Sequence, residues 1–251
     1  MPPSISDFFP PALLFQGTIF EFNRIMLVRV VAAVVLCALF LLAARSARLV
    51  PGRAQSLAEF GLDFVRINIA EEILGKNARR FVPFLTTIFF AILVFNMTGV
   101  VPLLNISATS LVGLPVMLAA WVYLLYLGVG VKKFGIGRYL KNSLFPAVVP
   151  KILYLLISPI EALQVFVLRP ATLALRLTAN MIAGHLILVL CFSATQFFVF
   201  QAAGALKGVA ALSFAAGIAF TLFEVLVAGL QAYVFTLLSA VYLGMAIEEE
   251  H

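Results

Sequence analysis

Seven of the polar side chains in the two longest apolar segments could take part in ion chemistry. They are Glu161, Arg169, Arg176, Asn180 and His185 in the first segment, and Glu224 and Gln231 in the second. A charged side chain at the centre of a bilayer costs several kcal/mol, so such residues usually face a bundle interior or a hydrated cavity and mark an ion path. The residue types therefore indicate ion translocation within a membrane.

The charged members of this set differ in the chemistry they can perform. Arg176 stays charged in almost any environment, so it can hold a carboxylate without relaying a proton. His185 and Glu224 can both exchange protons once burial and neighbouring groups tune them towards neutral pH. The set thus combines a fixed cation with a candidate proton relay.

Helical spacing relates these residues to one another. At about 100° per residue, one stripe of the first segment holds Arg169, Thr172, Arg176 and Asn180, and one face of the second holds Glu224 and Gln231. If the two helices pack antiparallel, the residue numbers of two facing residues add up to nearly the same value along the whole contact. This holds for Arg176 with Gln231 and for His185 with Glu224, so both pairs are expected to face each other. The second pair then lies about 10–14 Å along the helix axes from the arginine, towards the outside.

Structural roles compete with each of these assignments. Arg176 could serve as an interhelical ion pair or carbonyl clamp, and His185 and Glu224 could neutralise each other as packing contacts. The amides of Asn180 and Gln231 could form ordinary interhelical hydrogen bonds. Glu161 and Arg169 lie nearer the cytoplasmic end, where interfacial or snorkelling side chains are common.

Composition sets the class of protein. The chain has 251 residues, of which 63% are hydrophobic and 11% charged, which is typical of a polytopic membrane protein. Its net charge of +6 resides in short clusters between apolar runs, which argues against nucleic-acid binding. Cys37 and Cys191 lie inside apolar runs without metal-ligand spacing, so we expect no metal and no cofactor. The N-terminal residues lack a basic region and do not resemble a cleavable signal peptide.

Apolar runs of about 20 residues predict an all-α fold in a single membrane domain, 1–251. We expect a spanning helix over about 25–44, an amphipathic surface helix over about 57–80 and a helical hairpin over about 81–131. Residues 132–142 are predicted to form a basic loop. Two long helices, about 160–200 and 209–247, exceed the bilayer thickness and must tilt strongly, break or leave the bilayer. Pro170 marks a possible break.

The basic residues predict the orientation. With five crossings and the N-terminus outside, the regions after the first and third spans hold seven and five of the 17 basic residues on the cytoplasmic side. The C-terminus then lies in the cytoplasm. A sixth crossing, with residues 146–168 and 171–200 as separate spans, is the alternative, and the acidic tail has no Lys or Arg to decide between them.

Three ordered motifs carry a resemblance to a known family. The stretch "RPATLALRLTANMIAGHLI" resembles the fifth-helix signature of subunit a of the F-type ATP synthases. "EEILGKNARRFVPFLTTIFFAILVFNMTGVVP" is similar to the second-span region of that family, and "LQAYVFTLLSAVYLGMA" to its C-terminal helix. The resemblance covers about residues 55–247.

This resemblance implies a non-catalytic, proton-translocating stator subunit in the bacterial plasma (inner) membrane. Two half-channels and two tilted helices would serve a rotating ring of c subunits, with b-type peripheral stalk subunits and other ATP synthase subunits as further partners. Arg176 matches the essential arginine that faces the ring carboxylates, and Asn180 and Gln231 match its polar neighbours. His185 and Glu224 match two positions of the outer half-channel, where some members exchange the acid and the histidine.

The chain also departs from the family pattern. Many members have "RLFGN" where this chain has "RLTAN", so Thr178 and Ala179 replace an aromatic residue and a glycine. Glu161 stands one residue further from Pro170 than the pattern expects, so its role and that of Arg169 stay open between the cytoplasmic path and structure. The titratable pair favours protons over sodium.

Two other classes of function fit the buried charges. One is a secondary transporter that binds an anionic substrate at Arg176 and couples it to a His185–Glu224 relay. The other is a membrane scaffold with a buried ion-pair network.

Overall fold

The computed structural model describes residues 12–14, 22–45, 52–101, 108–109, 111–144, 154–201 and 207–247. Within these ranges the chain is almost entirely helical, and five helices are long and apolar enough to cross a membrane. Two short strands that the sequence did not predict, β1 (Ala12–Leu14) and β2 (Phe22–Asn23), pair antiparallel. The all-α polytopic fold is confirmed. Pro146, Pro150 and the acidic tail lie outside the described residues.

The helices follow the order of the predicted segments. They are α1 (Arg24–Arg45), α2 (Arg53–Val65), α3 (Glu72–Leu74), α4 (Ala78–Met97), α5 (Gly113–Phe134), α6 (Ile136–Leu144), α7 (Tyr154–Leu163), α8 (Arg169–Phe200) and α9 (Lys207–Ile247). Two π-helical segments, Arg66–Glu71 and Gln164–Leu168, and a 3₁₀ turn, Gly75–Asn77, join neighbouring helices. The first span extends one residue beyond the predicted range at each end.

The chain forms two compact units. Unit 1 contains Met1–Arg45, Phe90–Leu111 and Thr178–Ala232, and unit 2 contains Ser46–Phe89, Val112–Leu177 and Tyr233–His251. Helices α4, α8 and α9 each contribute residues to both units.

The segment predicted to form a surface helix is helical, and its apolar residues divide between two faces. Val65, Ile69 and Leu74 are buried in unit 2, whereas Leu57 and Phe60 are 74% and 71% exposed. An exposed apolar row on an amphipathic helix is suited to the membrane interface. The helix ends at Gly75, whose φ of +51° favours glycine, and the chain turns there into α4.

The prediction of a loop over 132–142 was wrong in part. Helix α6 occupies Ile136–Leu144 after a break at Gly135, where φ is +78°. The ring of Tyr139 is buried and occupies the space that a Cβ on Gly130 would need, so α6 packs directly on α5. The basic residues of the stretch obscured this short helix in the sequence.

The predicted break at Pro170 does not occur. Helical structure is continuous from Tyr154 to Phe200, and the π-helical segment immediately precedes Arg169. In this π-helical segment a backbone N–H pairs with the carbonyl five residues earlier, and the Arg169 N–H donates to the carbonyl of Gln164. The same spacing would pair the carbonyl of Val165 with the N–H of residue 170, which is a proline. Proline has no N–H. Instead, the hydroxyl of Tyr126 on α5 donates to the carbonyl of Val165 at 2.9 Å, so this carbonyl has a hydrogen-bond partner within unit 2.

A charged side chain inside the first span serves the fold of unit 1. The guanidinium of Arg29 is half-buried and donates to the carbonyls of Ala108 and Leu111, at 2.8 and 3.3 Å. The hydroxyl of Thr109 donates to Asn96 at 2.8 Å. The two bonds from Arg29 satisfy backbone carbonyls between α4 and α5 that no helix pairs.

We predict that Tyr126→Phe destabilises the protein, because it retains the ring and leaves the buried Val165 carbonyl without its donor. The cost of an unsatisfied buried acceptor is about 1–3 kcal/mol. For a chain of this size each kcal/mol lowers the melting temperature by roughly 2–4 °C. The midpoint can be followed in detergent by the fluorescence of Trp121, the single tryptophan.

Tyr123→Phe is the matched control. Its half-buried ring contacts that of Tyr126, and the described part of the chain offers its hydroxyl no hydrogen bond. Equal midpoints for the two variants would show that the Tyr126 hydroxyl does not stabilise the π-helical segment.

Candidate functional site

Helices α8 and α9 meet in unit 1 through a pair of amides. The side-chain N–H₂ of Asn180 donates to the Oε1 of Gln231 at 2.8 Å. Gln231 is 2% exposed, and its own Nε2 has no hydrogen-bond partner among the described residues. The sequence predicted Arg176 opposite Gln231, whereas the structure pairs Gln231 with Asn180, one turn further along α8.

The carboxyl group of Glu224 lies against the backbone of α8. Glu224 is 4% exposed, and a Cβ placed on Gly184 would lie 3.0 Å from its Oε1. A side chain at this position would crowd the carboxyl group, which would have to shift by a few tenths of an ångström. Gly184 directly precedes His185, so the antiparallel register predicted for His185 and Glu224 is reproduced to within one residue. His185 itself is half-buried.

The environment of Glu224 determines what this group can do. Neither carboxyl oxygen has a hydrogen-bond partner within the described ranges. An isolated carboxylate is very costly to bury, so this group needs either a proton or water molecules. A carboxyl group that is buried in a membrane helix and lacks fixed partners is suited to accept and release protons.

Arg176 lies in the part of α8 that belongs to unit 2. Its side chain is exposed, and its neighbour Leu175 is 61% exposed. The described part of the chain gives Arg176 neither an ion pair nor a hydrogen bond, whereas Arg66 and Glu71 form an ion pair at 2.8 Å on the surface segment. Arg176 is therefore a cation on the open face of a helix that is apolar enough to cross a membrane.

The two remaining predicted site residues lie in unit 2. The guanidinium carbon of Arg169 is 5.4 Å from the ring centroid of Tyr242, a cation–π contact between α8 and α9. Glu161 is half-buried on α7. Within the described residues, neither Arg169 nor Glu161 has a contact with Asn180, Gln231 or Glu224.

Sequence reasoning missed Gly184 as a part of the site. Gly184 permits the close approach of the Glu224 carboxyl group. A glycine inside a long helix costs about 1 kcal/mol relative to alanine, and that cost was the available signal for Gly184. Within the described residues there is no group of three or more His, Cys, Asp or Glu side chains that could hold a metal ion.

Comparison with known proteins identifies the family of this chain. Residues 26–244 match the family described as ATP synthase A chain. The chain is 51% identical to the ATP synthase subunit a of Rhodococcus erythropolis over 99% of this chain and 91% of the relative. It is 40% identical to that of Pseudarthrobacter chlorophenolicus, over 99% and 94%. It is 42% identical to that of Hyphomonas neptunium, over 84% and 81%.

The family match covers most of the chain, and the relatives align along most of their own length. The motif around Arg176 and the motif that leads into α4 fall within the matched residues, and the match covers α9 as far as Gly244. The chain therefore belongs to the ATP synthase subunit a family.

Proposed function

We propose that this chain is the proton-translocating stator subunit of a bacterial F-type ATP synthase, with Arg176 facing the carboxyl groups of a rotating c-subunit ring. The observation that carries the proposal is the exposure of Arg176 on α8. A guanidinium on the apolar surface of a membrane helix is stable only beside an opposite charge or water. A ring of carboxyl groups supplied by another subunit provides that charge.

The outer half of the proton path runs past His185 and Glu224. Protons enter from outside, reach the carboxyl group of Glu224 against Gly184, and pass by way of the Asn180 and Gln231 amides to a ring carboxylate. The protonated, neutral ring site then rotates into lipid, which a charged carboxylate would resist strongly.

Arg176 acts at the end of each rotation. A ring carboxyl group returns to the stator, meets a second path open to the cytoplasm, and loses its proton beside the guanidinium, which favours the ionised form. Because arginine does not release its own proton, the same residue blocks a direct leak between the two paths. Each elementary charge that crosses 100 mV provides about 2.3 kcal/mol, so several protons contribute to each ATP.

The remaining assignments concern position and partners. The chain forms a single membrane domain in the inner membrane, with the N-terminus outside and the C-terminus in the cytoplasm. It performs no covalent chemistry, and it works with the c ring, the b-type peripheral stalk and the other ATP synthase subunits. We assign Arg169 a positioning role through Tyr242, and Glu161 a place on the cytoplasmic side.

We predict that Arg176→Ala abolishes coupled proton pumping. ATP-driven acidification of inverted vesicles should fall at least about tenfold, which corresponds to a loss of only about 1.4 kcal/mol of charge stabilisation. Passive proton permeability should rise, because the cation no longer separates the two paths.

Arg53→Ala, which removes an exposed arginine at the start of the surface helix, is the control. Both variants must first be shown to assemble into the complex. Normal pumping by an assembled Arg176→Ala complex would contradict the proposal and favour a structural role for this charge.

We predict that Gly184→Val slows proton-driven ATP synthesis, because the new side chain competes for the space of the Glu224 carboxyl group. Glu224→Asp is shorter by one methylene group, so the double variant Gly184→Val with Glu224→Asp should recover part of the lost rate. The rate of ATP synthesis under an imposed proton gradient measures both effects.

Gly208→Val tests for a general effect of valine, since the position of a Cβ at Gly208 has no heavy atom within 4 Å. If Gly184→Val and Gly208→Val had equal rates, the contact between Gly184 and Glu224 would not belong to the proton path.

A further inference from the structure

A cavity of about 860 Å³ opens in unit 2, and none of the residues that line it belongs to the proposed proton path. Three membrane helices end around it. Its walls come from the turn before α4 and the start of α4, from the last three turns of α5, and from Ile247 at the end of α9. The volume falls within the roughly 300–1,000 Å³ range of small-molecule sites.

Five of the residues that line this cavity carry a positive charge. They are Lys76, Arg79, Arg80, Lys132 and Lys133. None of its lining residues in the described part of the chain is acidic. Lys133 donates to the backbone carbonyl of Ile247 and so ties the ends of α5 and α9 together, while the other four cations surround the opening. The cavity is thus complementary to an anion with more than one charged oxygen.

The rest of the lining, apart from Asn77 and Gly128, forms an apolar wall of Phe81, Leu124, Leu125, Val129 and Ile247. Leu124 is 65% exposed, so the apolar wall continues onto the outer surface of α5. The cations therefore lie where the spanning helices α4, α5 and α9 end, and the apolar wall lies on the side of the hydrocarbon.

We propose that this cavity binds the phosphate headgroup of an anionic membrane phospholipid, with its acyl chains along the apolar wall of α5. A basic pocket between the ends of membrane helices is a recognised arrangement for such headgroups. A free phosphate would use the cations and leave the apolar wall uncovered, whereas a phospholipid fills both parts of the cavity. The inference does not depend on the proposed role of Arg176.

The test uses the whole ATP synthase complex in vesicles of phosphatidylcholine that contain a photoactivatable phosphatidylglycerol with the reactive group on an acyl chain. After illumination, mass spectrometry of the digested chain locates the labelled peptides. We expect labelling of the α5 segment 124–129, reduced by an excess of unlabelled phosphatidylglycerol and unaffected by extra phosphatidylcholine.

The cavity variant combines Arg79→Gln, Arg80→Gln and Lys132→Gln, and retains Lys133 because of its bond to Ile247. We expect labelling of residues 124–129 to fall at least about tenfold. The matched control combines Arg45→Gln, Arg53→Gln and Arg138→Gln, which removes three exposed charges that do not line the cavity. A charge-preserving variant, with Arg79→Lys, Arg80→Lys and Lys132→Arg, should retain labelling and so exclude a folding defect.

Three outcomes would overturn the proposal. Equal loss in the cavity and control variants would mean that net charge attracts lipid without a specific site. Competition by inorganic phosphate would identify a soluble-anion site. Crosslinks from residues 124–129 to another subunit, with no lipid label, would show that a protein partner covers the cavity.

Discussion

Every polar atom that this chain places in the membrane needs a partner, because hydrocarbon offers none. Regular helices satisfy most of the backbone, so the informative positions are those where the helical pattern fails. Because Pro170 has no N–H, the carbonyl of Val165 accepts a hydrogen bond from the hydroxyl of Tyr126 instead, at 2.9 Å. Between α4 and α5, the guanidinium of Arg29 likewise donates hydrogen bonds to two backbone carbonyls. The tertiary structure of each unit depends on such single side chains.

The same constraint separates polar groups that have a fixed partner from those that have none. Asn180 and Gln231 bond to each other and hold α8 against α9. Glu224 is buried without a partner among the described residues, and Arg176 is exposed on an apolar helix. Groups of the second kind are costly to keep unless their partners are mobile: a proton or water for Glu224, and a group on another subunit for Arg176. The proposed function follows from these two costs.

The sequence predicted the spans well because length and hydropathy alone decide whether a helix can cross a bilayer. It was also sufficient to place Glu224 beside the His185 region, since antiparallel helices constrain which residues face one another. It failed where a side chain from a distant segment decides the outcome. The Tyr126 hydroxyl keeps the helix continuous through the segment before Pro170, and the ring of Tyr139 packs α6 onto α5 at Gly130. The roles of Arg176 and Glu224 remain predictions.

The surface of α8 around Arg176 adds a steric argument for a partner helix. Ala179 and Ala183 follow the arginine at intervals of three and four residues, and both are exposed. Small residues on a membrane helix allow another helix to approach its backbone closely. A large side chain at either position would hold a partner away from the guanidinium, and Coulomb attraction weakens with distance. Thus "RLTAN", which departs from the commoner family sequence, retains a small residue three positions after the arginine, as the proposed approach of a ring carboxyl group requires.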